Sequence, residues 1–222
     1  MSYSVTAIGE EAFHWSDLKS VTLPQTIESI KRSAFNTARN LTSITFPAGL
    51  KHIGEYAFDY AGLTSIKIPD SVEDIGDNAF FACGSLATVE LGSGLKSIGE
   101  AAFYKCAFSE IEIPEGVTSI PTALFYNCAN LKSVKLPSGL NTIGKRAFRE
   151  CTSLASIDLP SSVSYIGEDA FLMCTALTSL QLPASLEEVG VNFVANTGIT
   201  TLTVESGNEN FVADGGVIYS TN

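Results

Sequence analysis

Positive charge and long apolar runs are what this sequence most clearly lacks. Its 222 residues include only 13 lysines and arginines against 24 aspartates and glutamates, a formal net charge of -11. Such a chain repels nucleic acid and anionic membrane surfaces, so we expect no nucleic-acid partner. No run approaches the roughly 18 to 20 apolar residues of a membrane helix, and the first residues lack the basic and apolar segments of a signal peptide. We therefore predict no membrane insertion.

Residues that carry chemistry are also scarce. The two histidines, His14 and His52, occupy different positions of the repeat described below. The sequence has no G-x-x-x-x-G-K-[ST], G-x-S-x-G or H-E-x-x-H pattern, which phosphate-binding loops, serine hydrolases and zinc proteases use. These absences predict a protein that is not an enzyme and that has no catalytic residue, metal ligand or cofactor.

An internal repeat dominates the sequence instead. A string related to I-G-x-x-A-F occurs nine times, at intervals of 22 or 23 residues. Its first residues, which we use to number coils 1 to 9, are Ile8, Ile30, Ile53, Ile75, Ile98, Ile120, Ile143, Ile166 and Val189. A period of this length indicates a solenoid, in which no unit can bury its apolar column alone.

Each coil repeats the same local patterns. An alternating apolar segment rich in β-branched residues and leucine, such as Ile66-Lys67-Ile68, is typical of a short strand with one buried face. Proline follows this strand in seven coils and ends its pairing, because proline has no N–H to donate. An extended return then leads to the next I-G. There a glycine followed by an acidic residue, as in Gly54-Glu55, predicts one turn of helix.

One unit, residues 63 to 83 (L-T-S-I-K-I-P-D-S-V-E-D-I-G-D-N-A-F-F-A-C), resembles the BspA-like leucine-rich repeat, and in-phase copies extend from Val5 to Val204. The resemblance implies an α/β repeat fold. This is a right-handed leucine-rich-repeat solenoid of about nine 22-23-residue coils, with a parallel sheet on one face and short helical turns on the other. The family is found largely as bacterial and protist surface proteins, some of which adhere to host matrix proteins.

The resemblance also carries the functional hypotheses. It implies a cell-surface or secreted location for the full-length protein and a host or matrix protein, or a glycan, as its partner. The leading hypothesis is a non-catalytic binding solenoid within a cell-surface adhesion protein. The alternative is a structural spacer or stalk with no ligand of its own.

Two segments are predicted along the chain. Residues 1-204 form the solenoid, and in residues 205-222 the run Asp214-Gly215-Gly216 lies between apolar triplets, which indicates a hairpin. This hairpin is either a C-terminal cap or the start of a further element. Coil 1 lacks a preceding strand, which favours a fragment of a longer protein, accounts for the missing signal peptide and predicts end-to-end self-association.

The strand residues between the inward apolar positions should line the outer face of the sheet. Serine and threonine occupy the ends of these columns, and charge occupies the centre. The candidate binding residues there are Lys67, Glu90, Glu110, Glu112, Lys135 and Asp158. We predict cross-strand ion pairs between Lys67 and Glu90 and between Glu112 and Lys135, with an acidic surplus beside them. This patch either contacts a basic protein segment or a weakly bound cation, or is simply a solvated sheet face.

Two further columns are read as structure. The repeat phenylalanines share the register of buried residues, so we predict a core spine rather than a platform for bases or sugars. The residues beside it predict an exposed aromatic strip: His14, Trp15, Tyr60, Phe81, Tyr104 and Tyr126. All five cysteines lie three residues after a repeat aromatic, which favours buried thiols over a metal or redox ladder.

Overall fold

The computed structural model describes residues 4–214 and 217–221, which form short strands and turns. No helix long and apolar enough to cross a membrane occurs in these ranges. The strands of the described residues, in chain order, are β1 (Ala7–Ile8), β2 (Ser20–Thr22), β3 (Ser29–Ile30), β4 (Ser43–Thr45), β5 (His52–Ile53), β6 (Ser65–Lys67), β7 (Asp74–Ile75), β8 (Thr88–Glu90), β9 (Ser97–Ile98), β10 (Glu110–Glu112), β11 (Ser119–Ile120), β12 (Ser133–Lys135), β13 (Thr142–Ile143), β14 (Tyr165–Ile166), β15 (Ser179–Leu182), β16 (Glu188–Val189), β17 (Thr201–Val204), β18 (Phe211–Asp214) and β19 (Val217–Ser220).

One side of the solenoid, which we call the face sheet, carries the strands of three or four residues from successive coils. They pair in parallel, β2 with β4, β6 with β8, β10 with β12 and β15 with β17. In β4, β6, β8, β10 and β12 the central residue is buried and both neighbours are exposed. The predicted parallel sheet and its outward columns are therefore confirmed.

A second parallel sheet, which we call the return sheet, is built from strands of two residues. Its strands form the ladders β1-β3-β5-β7-β9 and β11-β13-β14-β16. The sequence predicted an extended return in these places but not that the returns pair with one another. In-register pairs such as Ile30 opposite Ile53 stack the buried return residues in one column.

The return sheet is interrupted between β9 and β11 by a proline. In most other coils a glycine follows the return strand and its N–H donates to the preceding coil, as Gly144 does to the carbonyl of Ile120 at 2.7 Å. Coil 6 has Pro121 in this position. Because proline has no N–H, coil 6 cannot make this hydrogen bond to coil 5, and the ladder stops there.

The third side of each coil, which we call the turn side, is where the sequence predicted helical turns, and that prediction is wrong. None of the described residues is helical. In coil 2 the N–H of Ala34 donates to the carbonyl of Lys31, three residues earlier, as in a β-turn. The N–H of Phe35 donates to Ala57 of the next coil at 2.7 Å, and Ser33 has a φ of 53°. A helix fails because alternate N–H groups bind the neighbouring coil instead of their own segment.

Close packing of the coils, and not a helix entrance, explains the repeated glycine. A Cβ atom on Gly76 would lie 2.6 Å from the backbone nitrogen of Glu55 in the preceding coil. A Cβ atom on Gly190 would lie 2.2 Å from the nitrogen of Glu168. Both distances are far below van der Waals contact, so a side chain at these positions would push the coils apart.

The centre of the solenoid is a column of phenylalanine rings, as predicted. Successive ring centroids lie 5.0 to 6.2 Å apart, and successive rings lie within 25° of parallel. Stacked rings at these separations attract one another beyond the area they bury. The spine consists of Phe13, Phe35, Phe58, Phe80, Phe103, Phe125, Phe148 and Phe171.

The cysteine column lies beside this spine, and all five thiols are free and buried. Each Sγ donates to the carbonyl of the spine phenylalanine one coil earlier, at 3.0 to 3.3 Å. Burial raises the pKa of the Cys128 and Cys174 thiols to about 12. Because the thiolate is the form that binds metals and attacks electrophiles, this environment makes the thiols inert. The predicted burial of the column is confirmed.

Strands β18 and β19 form an antiparallel pair after the last coil, with Phe211 opposite Ser220. Phe211 and Ile218 pack against the core. Two glycines of the predicted hairpin turn, Gly215 and Gly216, lie outside the described residues. The division of the chain at residue 204 stays a prediction.

Candidate binding face

The six candidate residues all lie exposed on the face sheet, within coils 3 to 7. Both predicted ion pairs are present between neighbouring strands. The Nζ atom of Lys67 lies 2.8 Å from Glu90, and that of Lys135 lies 2.6 Å from Glu112. The hydrogen bond from each lysine to its glutamate raises the pKa of the lysine. These pairs are highly exposed, so they fix side-chain positions more than they stabilise the fold.

The remaining two candidates, Glu110 and Asp158, differ from the paired ones. Glu110 lies opposite Ser133 in the ladder of β10 and β12, so no lysine faces it across the strands. Among the residues that the structure describes, neither carboxylate has an ion-pair or hydrogen-bond partner. Glu110 therefore supplies the unpaired charge of the predicted acidic surplus, and Asp158 adds a second unpaired carboxylate further along the face sheet.

All of the candidate residues except Lys67 line an open groove of about 960 Å³ in the middle of the face sheet. Buried Val89, Ile111 and Val134 contribute apolar atoms to its lining. The charged side chains around it are six carboxylates and one lysine: Asp70, Glu90, Glu110, Glu112, Glu115, Asp158 and Lys135. The groove is therefore strongly acidic, with apolar surface between the charges.

Two of these carboxylates, Asp70 and Glu115, were not singled out from the sequence. Each lies just after a face strand and binds the turn of the next coil. Asp70 accepts hydrogen bonds from the N–H and Oγ of Ser93, and Glu115 from the same groups of Ser138. The Ser93 N–H lowers the pKa of Asp70. The signal in the sequence was an acidic residue after the strand-ending proline, followed one coil later by a serine.

Among the described residues the face sheet consists of separate strand pairs, since no ladder joins β4 to β6 or β8 to β10, and coil 7 contributes no strand at the end of this groove. Residues 156–158 occupy the strand position between β12 and β15 but form no strand. In the described part of the chain, the backbone groups of residues 155–159 make no hydrogen bond to other backbone groups. A second groove of about 370 Å³ lies beyond, between coils 7 and 9, and Asp158 lines both grooves. The two grooves therefore meet at a segment with unpaired backbone.

The aromatic strip on the turn side has the predicted residues but is only partly exposed. Trp15 is 71% exposed and Tyr60 is 47% exposed, whereas the others are half-buried. Phe81 and Tyr104 stack face to face with centroids 4.3 Å apart, and Tyr126 packs edge-on against Tyr104 at 5.0 Å. Because these rings cover one another, few ring faces remain for a ligand.

Next to this strip, Asp59 has an unusual carboxylate. Its Oδ2 accepts a hydrogen bond from Asn36 at 3.4 Å, but its Oδ1 is buried without a partner in the described structure. Burial raises the pKa of Asp59 to about 6, and the hydrogen bonds from Asn36 and from the backbone of Tyr60 oppose that rise only in part. The charged form is therefore poorly accommodated.

This geometry predicts that Asp59→Asn stabilises the protein at pH 7. Because the pKa of Asp59 is raised on folding, its cost is absent below the unfolded value near 4, grows as pH rises towards 6, and is complete above 6. We expect a gain on the order of 1 kcal/mol, reduced because solvent still reaches the carboxylate. Thermal unfolding of both proteins from pH 4 to pH 7.5 measures it. A gain that persists unchanged at pH 4 would refute this explanation.

The histidines do not form a site together. His52 on the return sheet pairs with Asp74 on the adjacent strand. His14 lies beside Trp15 on the turn side, with ring centroids 6.0 Å apart. No group of three or more histidine, cysteine, aspartate or glutamate side chains that could hold a metal occurs in the described ranges.

Known proteins share this architecture. A family model described as a BspA type leucine rich repeat region matches six copies over residues 6–122 and 96–214. The chain is similar to a T. pallidum leucine-rich repeat protein of known crystal structure, with 34% identity, 68% of this chain and 72% of that chain covered, and a TM-score of 0.65. A leucine-rich repeat protein from Eubacterium ventriosum matches at 21% identity over 96% of this chain and 85% of that chain, with a TM-score of 0.51. No curated protein matches.

Proposed function

Because the chain belongs to the BspA-type leucine-rich repeat family, we propose that it is a non-catalytic recognition module whose face sheet binds a protein or glycan. We further propose that it acts in a cell-surface adhesion protein. The observation that carries the proposal is the groove of about 960 Å³ at the centre of the face sheet. Extended solenoid faces of this kind serve as binding surfaces in repeat proteins.

The chemistry of the three sides favours the face sheet over the other two. On the return sheet, charged neighbours such as Lys51 with Glu28 and Lys96 with Glu73 neutralise one another. On the turn side, the aromatic rings pack together, and Arg149 pairs with Asp169 at 3.1 Å. The groove instead combines apolar surface with carboxylates that have no partner. Such a combination suits a ligand that supplies both apolar atoms and polar groups.

An array of extracellular-matrix proteins and glycans tests this proposal. The variant Glu90→Lys/Glu110→Lys/Glu112→Lys changes the groove, and Glu187→Lys/Glu188→Lys/Glu209→Lys makes the same change in net charge at exposed positions outside it. We expect at least one array component to bind the unaltered protein and the control variant but not the groove variant. Circular dichroism establishes that all three are folded.

Other outcomes would count against the proposal. Binding that survives in the groove variant would remove the face sheet as the site. A complete lack of binding by the folded protein would favour the alternative, a spacer or stalk that holds another domain away from the cell.

A further inference from the structure

We propose that the two grooves of the face sheet form one track that binds an extended, arginine- or lysine-rich peptide segment of a partner protein. This inference rests on the proposed recognition function and narrows its partner to one chemical class. Three independent features support it: the charge of the track, the unpaired backbone of coil 7 and the length of the track.

The charge of the track selects against other ligand classes. Its larger groove carries six carboxylates, of which Glu112 pairs with Lys135 and Glu90 with Lys67 at the groove's edge, so a surplus of four negative charges remains. A neutral glycan would leave the Glu110 and Asp158 carboxylates without a counter-charge, and an acidic glycan would be repelled. A guanidinium or ammonium group would make charge-assisted hydrogen bonds to the same oxygens.

The backbone of coil 7 distinguishes a peptide from a simple cation. Residues 155–159 present both N–H donors and C=O acceptors that no other backbone group binds in the described structure. Backbone groups require partners wherever water is excluded. A small cation would satisfy the carbonyl groups alone, whereas the peptide residues that cross coil 7 carry both N–H donors and C=O acceptors. Asp158 places a carboxylate within the same segment.

The length of the track fits a short peptide. The grooves reach from Glu90 in coil 4 to Thr203 in coil 9, which is five steps between coils. At about 4.8 Å for each step the track is roughly 24 Å long, and an extended chain covers that distance with about seven residues. A segment of this size, with basic side chains on alternate residues, would direct all of them towards the sheet.

A fluorescent peptide of about nine alternating arginine and serine residues is the direct probe, with an alternating glutamate and serine peptide as its negative control. The test variant, which we call the carboxamide variant, is Glu110→Gln/Asp158→Asn, and it leaves both ion pairs intact. The matched control is Glu187→Gln/Glu188→Gln, which alters two exposed carboxylates of β16 and its neighbour and changes the net charge equally. Fluorescence anisotropy measures Kd at low and at physiological salt.

We expect the carboxamide variant to bind the basic peptide with a Kd at least about tenfold higher, because it loses charge-assisted hydrogen bonds at two carboxylates. The control variant should bind like the unaltered protein. Equal weakening in both variants would mean attraction to net charge only and would overturn the inference. So would a lack of binding to the basic peptide. Array binding that is lost in Glu90→Lys/Glu110→Lys/Glu112→Lys but survives in Glu110→Gln/Asp158→Asn would leave the recognition function standing without this partner class.

Discussion

Replacing Phe80 by alanine is expected to lower the free energy of unfolding by about 3–5 kcal/mol, which is the usual cost of truncating a buried phenylalanine. Phe80 is fully buried, and its ring stacks on Phe58 at 5.2 Å and on Phe103 at 5.4 Å. The change removes both stacking contacts and leaves a cavity between coils that cannot close without shifting the backbone. Urea unfolding followed by circular dichroism measures the effect.

Phe13 provides the matched control for this prediction. Its ring occupies the same position in coil 1 but stacks on one neighbour, Phe35, and is only partly buried. We expect Phe13→Ala to cost distinctly less, because it removes one stacking contact and less buried area. Equal costs at both positions would contradict the expectation that full burial and stacking on two neighbours make the central spine rings more stabilising than the terminal one.

The second large effect is expected for Gly76→Ala. The added Cβ atom would meet the backbone of coil 3 at 2.6 Å, so coils 3 and 4 must separate or distort. Overpacking of this kind costs about 1–3 kcal/mol, and here the obstacle is backbone, which cannot rotate away. Urea unfolding again provides the measurement.

Gly9 offers a control from the same column of the repeat. A Cβ atom there would meet nothing within 4 Å. We expect Gly9→Ala to change stability by less than about 0.5 kcal/mol, as exposed substitutions usually do. A similar loss in both variants would mean that the glycine is required for its backbone conformation and not for the approach of the coils.

The sequence predicted the arrangement of columns well, because burial repeats once per coil and the strand pattern alternates. The ion pairs Lys67 with Glu90 and Lys135 with Glu112 followed from that register alone. Likewise, the cysteines share a column with small residues such as Ala38 and Ala61, which are buried in the same way. In each case one regular spacing determines which neighbours meet.

The turn side was mispredicted for a physical reason. A segment of only one turn contains too few residues to distinguish helical periodicity from a series of β-turns. The choice depends on where the N–H groups bond, and in this fold partners such as the Ala57 carbonyl, which binds Phe35, lie on the next coil. The glycine of the I-G pair, taken as a helix entrance, instead reflects the close approach between coils.

That coil 7 forms no face strand was equally hidden. Ser156, Ile157 and Asp158 have the same alternating pattern as strands that do pair. Whether backbone groups pair is decided by how closely neighbouring coils approach, which no local pattern in the sequence encodes. The groove, and with it the position of Asp158 between its two parts, therefore emerges only from the three-dimensional structure.

Amide hydrogen exchange of residues 156–159, with and without a saturating amount of the arginine–serine peptide, tests the central claim most directly. If the peptide occupies the track, exchange should slow markedly at the amides that the peptide crosses, because they gain a partner that the free protein does not provide. The turn side around Tyr60 and Phe81 should be unaffected. Unchanged exchange at residues 156–159 under saturation, or protection confined to the turn side, would contradict binding of the peptide along the track.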